Sequence, residues 1–222
     1  MKVAPSDELM VRYALLAKVG HDFNNVLAVS QSVAEGLDSS TELPPSLRPE
    51  VDALTASVAS ATGWTHRLSR LRVTEGITHD PVVLDDALAA LVEKLAAERG
   101  PVQPTLVGGA PGHTVRASTA LLERMVTEAL SNAQEAGAKL LRIATAEDGK
   151  NLRLELADDG EGMAPATLAQ AFDPFFTTRG KKRGKGLGLC IVHVGIATLG
   201  GDLELDSAAG KGTTLRLWLP RG

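Results

Sequence analysis

The chain has 222 residues, 44% hydrophobic and 23% charged, which is too apolar for intrinsic disorder and long enough for one large domain or two small ones. Twenty-three Lys and Arg against 27 Asp and Glu leave a formal charge of −4, so no global positive field exists to bind nucleic acid or an anionic membrane. The single cysteine, Cys190, excludes a disulfide framework, and no stretch approaches the roughly 20 apolar residues of a membrane span, so the expectation is a cytoplasmic protein whose input comes from a separate sensory or regulatory protein.

Apolar residues near the start recur at helical spacing. With Leu9, Leu16, Phe23 and Leu37 at heptad position a, Val19, Val26 and Val33 fall at d, and Arg12 and Ser30 are the mismatches. Ser6 is placed as an N-cap, Asp7 and Glu8 occupy the first turn, and Gly36 lies near the end, which predicts one long helix. Pro44, Pro45 and Pro49 break it, after which Val51, Leu54, Val58, Ala61, Thr65 and Leu68 repeat the seam along a second helix to about residue 73. This all-α helical hairpin, assigned to residues 1–74, encloses too little volume to bury its stripe alone. A homodimer, joined as a dimeric four-helix bundle, is therefore expected. Residues 75–82, interrupted by Gly76, Thr78 and Pro81, read as a linker.

Residues 83–222 mix periods. A helix is predicted over 84–99, a short strand over 114–117, a helix over 119–136 and strands over 140–144 and 152–157. Glycine-rich loops, a helix over 187–199 and strands over 203–206 and 213–219 complete an α+β two-layer sandwich.

His21 falls at heptad position f, on the face turned to water, with Asp22 beside it and Asn25 one turn further along the same stripe. A lone helical histidine there is an ordinary surface residue; its neighbours point to chemistry. Imidazole is a nucleophile near neutral pH when a carboxylate takes the proton from its second nitrogen, the role Asp22 can fill. An amide one turn away, Asn25, can orient water toward a group attached to the histidine. The run His21-Asp22-Phe23-Asn24-Asn25, between Lys18-Val19-Gly20 and Val26-Leu27, resembles the phosphoacceptor box in the dimerising domain of two-component sensor histidine kinases.

Further boxes follow in the order that the ATP-binding domain of that family requires. Glu128-Ala129-Leu130-Ser131-Asn132-Ala133, on an amphipathic helix, resembles the N box, with Glu128 and Asn132 sharing a face. An oxygen at Asn132, with Glu128, suits a Mg²⁺ ion that keeps waters and bridges phosphates. Asp158-Asp159-Gly160-Glu161-Gly162-Met163 closes a strand and resembles the first glycine box. Asp158 there would accept the exocyclic amino hydrogens of adenine while Gly160 and Gly162 turn the backbone. Taken alone it reads as an Asp-Gly turn. Phe172-Asp173-Pro174-Phe175-Phe176-Thr177-Thr178 holds three of the four phenylalanines and resembles the F box at the start of the ATP lid, a concentration that suggests a docking surface. The basic run of Arg179, Lys181, Lys182, Arg183 and Lys185, spaced by Gly180 and Gly184, suits a mobile lid over phosphates better than a nucleic-acid patch. Gly184-Lys185-Gly186-Leu187-Gly188-Leu189 opens an apolar helix and resembles the second glycine box, offering unpaired N–H groups to an anion. Gly210-Lys211-Gly212-Thr213-Thr214 resembles the closing box, with Thr213 on the adenine side.

The resemblance runs from residue 7 to 220 and implies a kinase that uses ATP and Mg²⁺, phosphorylates His21 and passes the phosphoryl group to the receiver domain of a separate response regulator. Thr177, Thr178, Gly184, Lys185, Gly186, Leu187 and Gly188 join Glu128, Asn132, Asp158, Gly160, Gly162 and Thr213 as its nucleotide-binding set. Glu128 departs from the family pattern, where the N box often opens with Asn or His. It matches the related gyrase, Hsp90 and mismatch-repair ATPases, which raises a second reading, an ATPase switch in which Glu128 activates water. A third is a phosphotransfer hub with a vestigial pocket. His66, His79, His113 and His193, like Trp64 and Trp218, are assigned to structure.

Overall fold

A computed structural model describes residues 2–3, 7–69, 71, 81–98, 100–178 and 186–222; most of the expected linker, His79 and the basic run with Gly184 and Lys185 lie outside them. The chain divides into two compact units. One is Met10–Arg72, and the other joins Met1–Leu9 to Val73–Gly222.

The helical unit holds most of α1 (Asp7–Asp38), a 3₁₀ turn at Pro45–Leu47 and α2 (Arg48–Ser69). Arg48 closes the connection by donating to the backbone carbonyl of Asp38 at 2.5 Å, which satisfies an orphan acceptor at the end of α1. The face that α1 turns to α2 differs from the predicted one. At Gly20 the two backbones meet: a Cβ there would stand 2.5 Å from Leu68 Cβ and 2.8 Å from the carbonyl oxygen of Thr65. Tyr13, Ala17 and Ala34, buried on the same stripe, continue this seam at three- and four-residue steps. Phe23 and Val26, placed at a and d by the heptad, are 56% and 67% exposed, and Val33 and Leu37 are exposed with them. Two apolar faces thus coexist on α1. Bulky side chains dominate a hydropathy scan, whereas close helix contact is made through small residues that such a scan passes over. On α2, Val51 and Val58 are buried as the seam predicts, while Leu54 is exposed.

The second unit is a sheet with helices on one face. Its elements in chain order are β1 (Lys2–Val3), β2 (Val82–Val83), α3 (Leu84–Ala97), β3 (Gln103–Val107), β4 (Thr114–Val115) and α4 (Thr119–Glu135). Next come β5 (Leu140–Asp148), β6 (Asn151–Asp158), α5 (Pro165–Leu168), α6 (Gly188–Thr198), β7 (Asp202–Ser207) and β8 (Thr213–Pro220). Six strands run in the order β1-β7-β8-β6-β5-β3, with β3 parallel to β5 and the other pairs antiparallel, and β2 pairs β4 separately. β3 escaped prediction because Pro101, Pro104 and the Gly108-Gly109 pair obscure its alternation. Its place at the sheet edge is where proline is tolerated.

Alternation sorts the sheet faces. Leu141 and Ile143 of β5, Leu152, Leu154 and Leu156 of β6, Leu203 and Leu205 of β7, and Leu215, Leu217 and Leu219 of β8 are all buried. Against them pack Leu84, Leu88, Leu91 and Leu95 of α3, Leu122, Met125 and Val126 of α4, and an α6 buried almost all round. The opposite face carries a ladder of charge across four strands: Arg142 to Glu155 at 3.2 Å, Glu155 to Arg216 at 3.1 Å, and Arg216 to Glu204 at 3.7 Å. Ser118 caps α4, its hydroxyl accepting the Leu121 N–H at 3.1 Å.

His193 on α6 is fully buried, its ring 5.2 Å from that of Phe172, and burial pulls its pKa below the usual histidine value. As pH falls below 6.5 the unfolded chain takes up this proton while the folded chain resists it, so stability present above that pH is lost toward the depressed folded value. Calorimetry between pH 7 and 5 is expected to show a steeper fall in Tm for the native chain than for His193→Gln, whatever the offset between them.

Candidate nucleotide and phosphoacceptor sites

In the second unit, α4 and the start of α6 bring the N-box residues to one point. A Cβ at Gly188 would lie 3.2 Å from Glu128 Oε2 and 3.3 Å from Asn132 Oδ1, so the two side chains converge over the first turn of α6. Leu187, its N-cap, makes no side-chain bond to that turn. The positive end of the helix dipole therefore lies beside the two side-chain oxygens. Among the described residues no group of three His, Cys, Asp or Glu could hold a metal alone. A divalent ion at Glu128 and Asn132 would complete its shell with phosphate and water oxygens, the habit of Mg²⁺, so the donor set fits that ion.

The second cluster lies where β6, β7 and β8 end together. Asp158, the last residue of β6, pairs with Thr213, the first of β8, and Thr213 pairs with Ser207 of β7. Asp158 Oδ1 accepts the Gly160 N–H at 2.9 Å. Its neighbour Asp159 turns away and accepts the N–H groups of Leu140 and Lys139 at 2.9 and 2.8 Å, bonds that hold its carboxyl below the usual range. The adjacent carboxylates thus divide into one at the strand end and one that ties the loop to β5. Gly162, at φ +66°, lies against the carbonyls of Ala208 and Gly212, and the Gly210 N–H donates to Glu161 O at 2.6 Å, so no side chain fits between these two loops.

Ser207 was missed by the sequence reading. Its hydroxyl accepts from Met163 N at 2.9 Å, donates to Gly212 O at 2.8 Å and lies 3.0 Å from Thr213 Oγ1. With its one hydrogen spent on Gly212, Ser207 takes the Thr213 hydrogen, which leaves the Thr213 oxygen as an acceptor. Only the strand register brings Ser207 here, and no local motif announces it.

The F box does not act as one surface. Phe172 is core, Phe176 is half-buried, and Phe175 is 42% exposed at φ +67°, its N–H donating to Gly186 O at 2.8 Å. This bond pins the F box to the second glycine box, where Gly186 at φ +62° lies against the Phe175 backbone. Thr177 is half-buried and Thr178 exposed. Buried Cys190 donates from Sγ to Phe172 O at 3.3 Å.

In the helical unit, His21 is exposed over 54% of its side chain, and its Nδ1 lies 3.3 Å from Asp22 Oδ1. Lys18 Nζ is 3.8 Å from the other Asp22 oxygen, and Asn25 is exposed on the same helix. Asn24 instead turns inward to accept the Thr65 hydroxyl.

Residues 117–222 match the family described as histidine kinase-, DNA gyrase B-, and HSP90-like ATPase. The sensor kinase CckA of Brucella abortus is 29% identical over 239 residues, covering 99% of this chain and 25% of that protein. The C4-dicarboxylate transport sensor protein DctB of Pseudomonas aeruginosa is 28% identical over 235 residues, covering 100% of this chain and 38% of that protein. Residues 117–222 thus carry an ATPase domain of that family, and over its whole length the chain is similar to sensor histidine kinases. It spans only about a quarter to two fifths of these two relatives. ShkA, solved full-length in complex with AMPPNP, superposes with a TM-score of 0.67 at 25% identity, covering 94% of this chain and 46% of that chain. The mycobacterial sensor histidine kinase MprB gives a TM-score of 0.54 at 26% identity over 64% of this chain and 97% of the MprB chain. A helical N-terminal region is thus followed by an α/β sandwich of the histidine kinase ATPase type.

The two carboxylates of the first glycine box are separable by experiment. Asp158→Asn is expected to weaken ATP binding by calorimetry by at least about tenfold, the 1.4 kcal/mol scale of one polar contact, at an unchanged Tm. Asp159→Asn should lower Tm and leave ATP affinity within about twofold.

Proposed function

We propose that this chain is the core of an ATP-dependent protein histidine kinase that phosphorylates itself on His21 and passes the phosphoryl group to an aspartate of a response regulator's receiver domain. The observation that carries the reading is the exposed His21 with a carboxylate on its Nδ1, in a chain whose other unit is an ATPase of the histidine kinase family. Asp22 holds the Nδ1–H tautomer, so the Nε2 lone pair is the one presented for attack. As the N–P bond forms and the bond to ADP breaks, Asp22 accepts or stabilises the Nδ1 proton of the imidazolium. Asn25, exposed one turn away, is suited to orient water for the reverse duty, dephosphorylation of the partner.

In the nucleotide unit, Asp158 accepts from the adenine amino group, with Thr213 beside it and Gly160 and Gly162 turning the loop. Gly186, Leu187 and Gly188 present the start of α6 to the phosphates, while Thr177, Thr178 and the basic run with Gly184 and Lys185 close over them. Glu128 and Asn132 would hold a Mg²⁺ ion, which when bound neutralises charge on the transferring phosphoryl group. The linker at 75–82 has to let His21 meet the γ-phosphoryl group.

The exposed stripe of Val19, Phe23, Val26, Val33 and Leu37 supports a homodimer through a four-helix bundle, since bare apolar residues in register along a helix call for a partner. No helix among the described residues is long and apolar enough to cross a membrane, and the reading places the chain in the cytoplasm with a separate sensory protein as its input. The convergence of Glu128 with Asn132 favours one second reading, an ATPase switch in which Glu128 activates water.

Purified chain incubated with γ-labelled Mg-ATP is expected to take up acid-labile phosphate that His21→Ala abolishes and Asp22→Asn reduces by about 10²-fold. Glu128→Gln separates the readings: retained histidine labelling with lost ATP hydrolysis points to water activation as a distinct activity, and joint loss points to nucleotide binding. Phe23→Glu with Val26→Glu should convert a dimer to a monomer by light scattering.

A further inference from the structure

We infer that Gly20, Asn24 and Thr65 form a clamp between α1 and α2 that positions His21 for phosphoryl acceptance. The inference rests on the kinase reading above. His21 is exposed, and Asp22, its hydrogen-bond neighbour, sits on the same turn, so that contact moves with the helix and cannot fix its rotation. α1 has 32 residues, about 48 Å at 1.5 Å per residue, and a rotation of so long a rod swings every side chain on its outer face. What holds the rotation at this level must cross to α2.

Two contacts do so, and they flank His21. At Gly20, immediately before it, the missing side chain lets α1 press against the α2 backbone: a Cβ there would stand 2.7 Å from the Ser69 nitrogen and 2.8 Å from the Thr65 carbonyl oxygen. At Asn24, three residues after it, the half-buried amide oxygen accepts the Thr65 hydroxyl. That hydroxyl also lies 3.3 and 3.2 Å from the Ala61 and Thr62 carbonyls of its own helix, which compete for its one hydrogen, and the Asn24 oxygen is the nearest of the three acceptors. Contact between small or apolar residues resists approach but tolerates rotation, whereas a directional bond selects one register, as a single polar residue in a coiled-coil seam does. Farther along α1, Gln31 spends its amide on Glu35 of the same helix at 2.8 Å and contributes no such crossing. Thr65 and Asn24 touch neither substrate nor the reacting atoms, which makes them positioning residues. Their worth follows from the sensitivity of group transfer to placement, where an error of about 1 Å costs on the order of 10²-fold.

The test uses the full chain with γ-labelled Mg-ATP and compares Thr65→Val, Thr65→Ser, Asn24→Leu and the double variant Asn24→Leu/Thr65→Val. The expected result is a fall in kcat of about tenfold or more for Thr65→Val and for Asn24→Leu, at a KM for ATP within about twofold of the native value. The double variant should be no slower than either single change, the mark of one shared contact, and Thr65→Ser should recover native kcat. Native kcat in Thr65→Val, or a Thr65→Ser variant as slow as Thr65→Val, overturns the inference. Should Thr65→Val lose helical content by circular dichroism, Asn24→Asp carries the test, because it keeps the acceptor: native kcat supports the clamp and a tenfold loss overturns it. No label on the native chain overturns the kinase reading itself, whereas label on the native chain with insensitive variants overturns the clamp alone.

Discussion

The register of β6 against β8 is the constraint on which the nucleotide unit depends. It sets Leu152, Leu154 and Leu156 opposite Leu219, Leu217 and Leu215, all on the face that meets α4 and α6, and it sets Glu155 opposite Arg216 on the other. A slip of one residue by either strand would carry its three leucines to the open face and turn its member of the ion pair inward, so hydrophobic burial of about 2 kcal/mol per side chain holds the pairing in place. The same register ends both strands with Asp158 across from Thr213, and β7 adds Ser207 beside them. The adenine end of the proposed site is therefore a by-product of core packing, and its hydroxyl network only trims the orientation of groups the sheet has already gathered.

A different economy governs α1. On the proposed reading one helix serves two partners, and the chemistry sits on its exposed surface. Small residues at 17, 20 and 34 let α2 approach closely, while Phe23, Val26, Val33 and Leu37 keep bulk for a second surface. Close approach through small side chains gains dispersion over a short distance and leaves little apolar area buried within one hairpin. In the proposed dimer the bare stripe supplies the remaining stabilisation, which makes the fold of the helical unit and its assembly thermodynamically one problem.

Much of this was legible in the sequence, and what was not has identifiable physics. Helices α3 and α4 and strands β5 to β8 follow period 3.6 or 2 over enough residues for pattern to decide, with ends misplaced by a few positions where pairing extends the strands past the apolar run, as at Thr145 to Asp148. β3 was hidden by its prolines, and Ser207 by the fact that its neighbours Met163, Gly212 and Thr213 come together only through sheet register. The hairpin seam was assigned to the wrong face of α1 because glycine and alanine carry almost no hydropathy signal, although they permit the closest contact. Phe172, Phe175 and Phe176, grouped by sequence as a docking surface, separate on folding: Phe172 joins the core, while Phe175, at φ +67°, leaves its own ring exposed beside a half-buried Phe176.

The two acidic pairs show why motif and geometry have to be read together. Asp158 and Asp159 are chemically identical in sequence, yet the backbone N–H groups of Lys139 and Leu140, where β5 begins, both donate to Asp159 Oδ1 and commit that oxygen to holding the loop. Asp158 ends β6, its Oδ1 accepting the Gly160 N–H of the turn that follows. In the helical unit the adjacent pair His21 and Asp22 stays outside any interhelical bond, while Asn24, three residues on, is bound across to Thr65. In both units a near neighbour of the residue that the proposed chemistry needs carries a bond that holds the scaffold. Such a division lets the scaffold hold the reactive group in place without consuming the lone pair that makes it reactive.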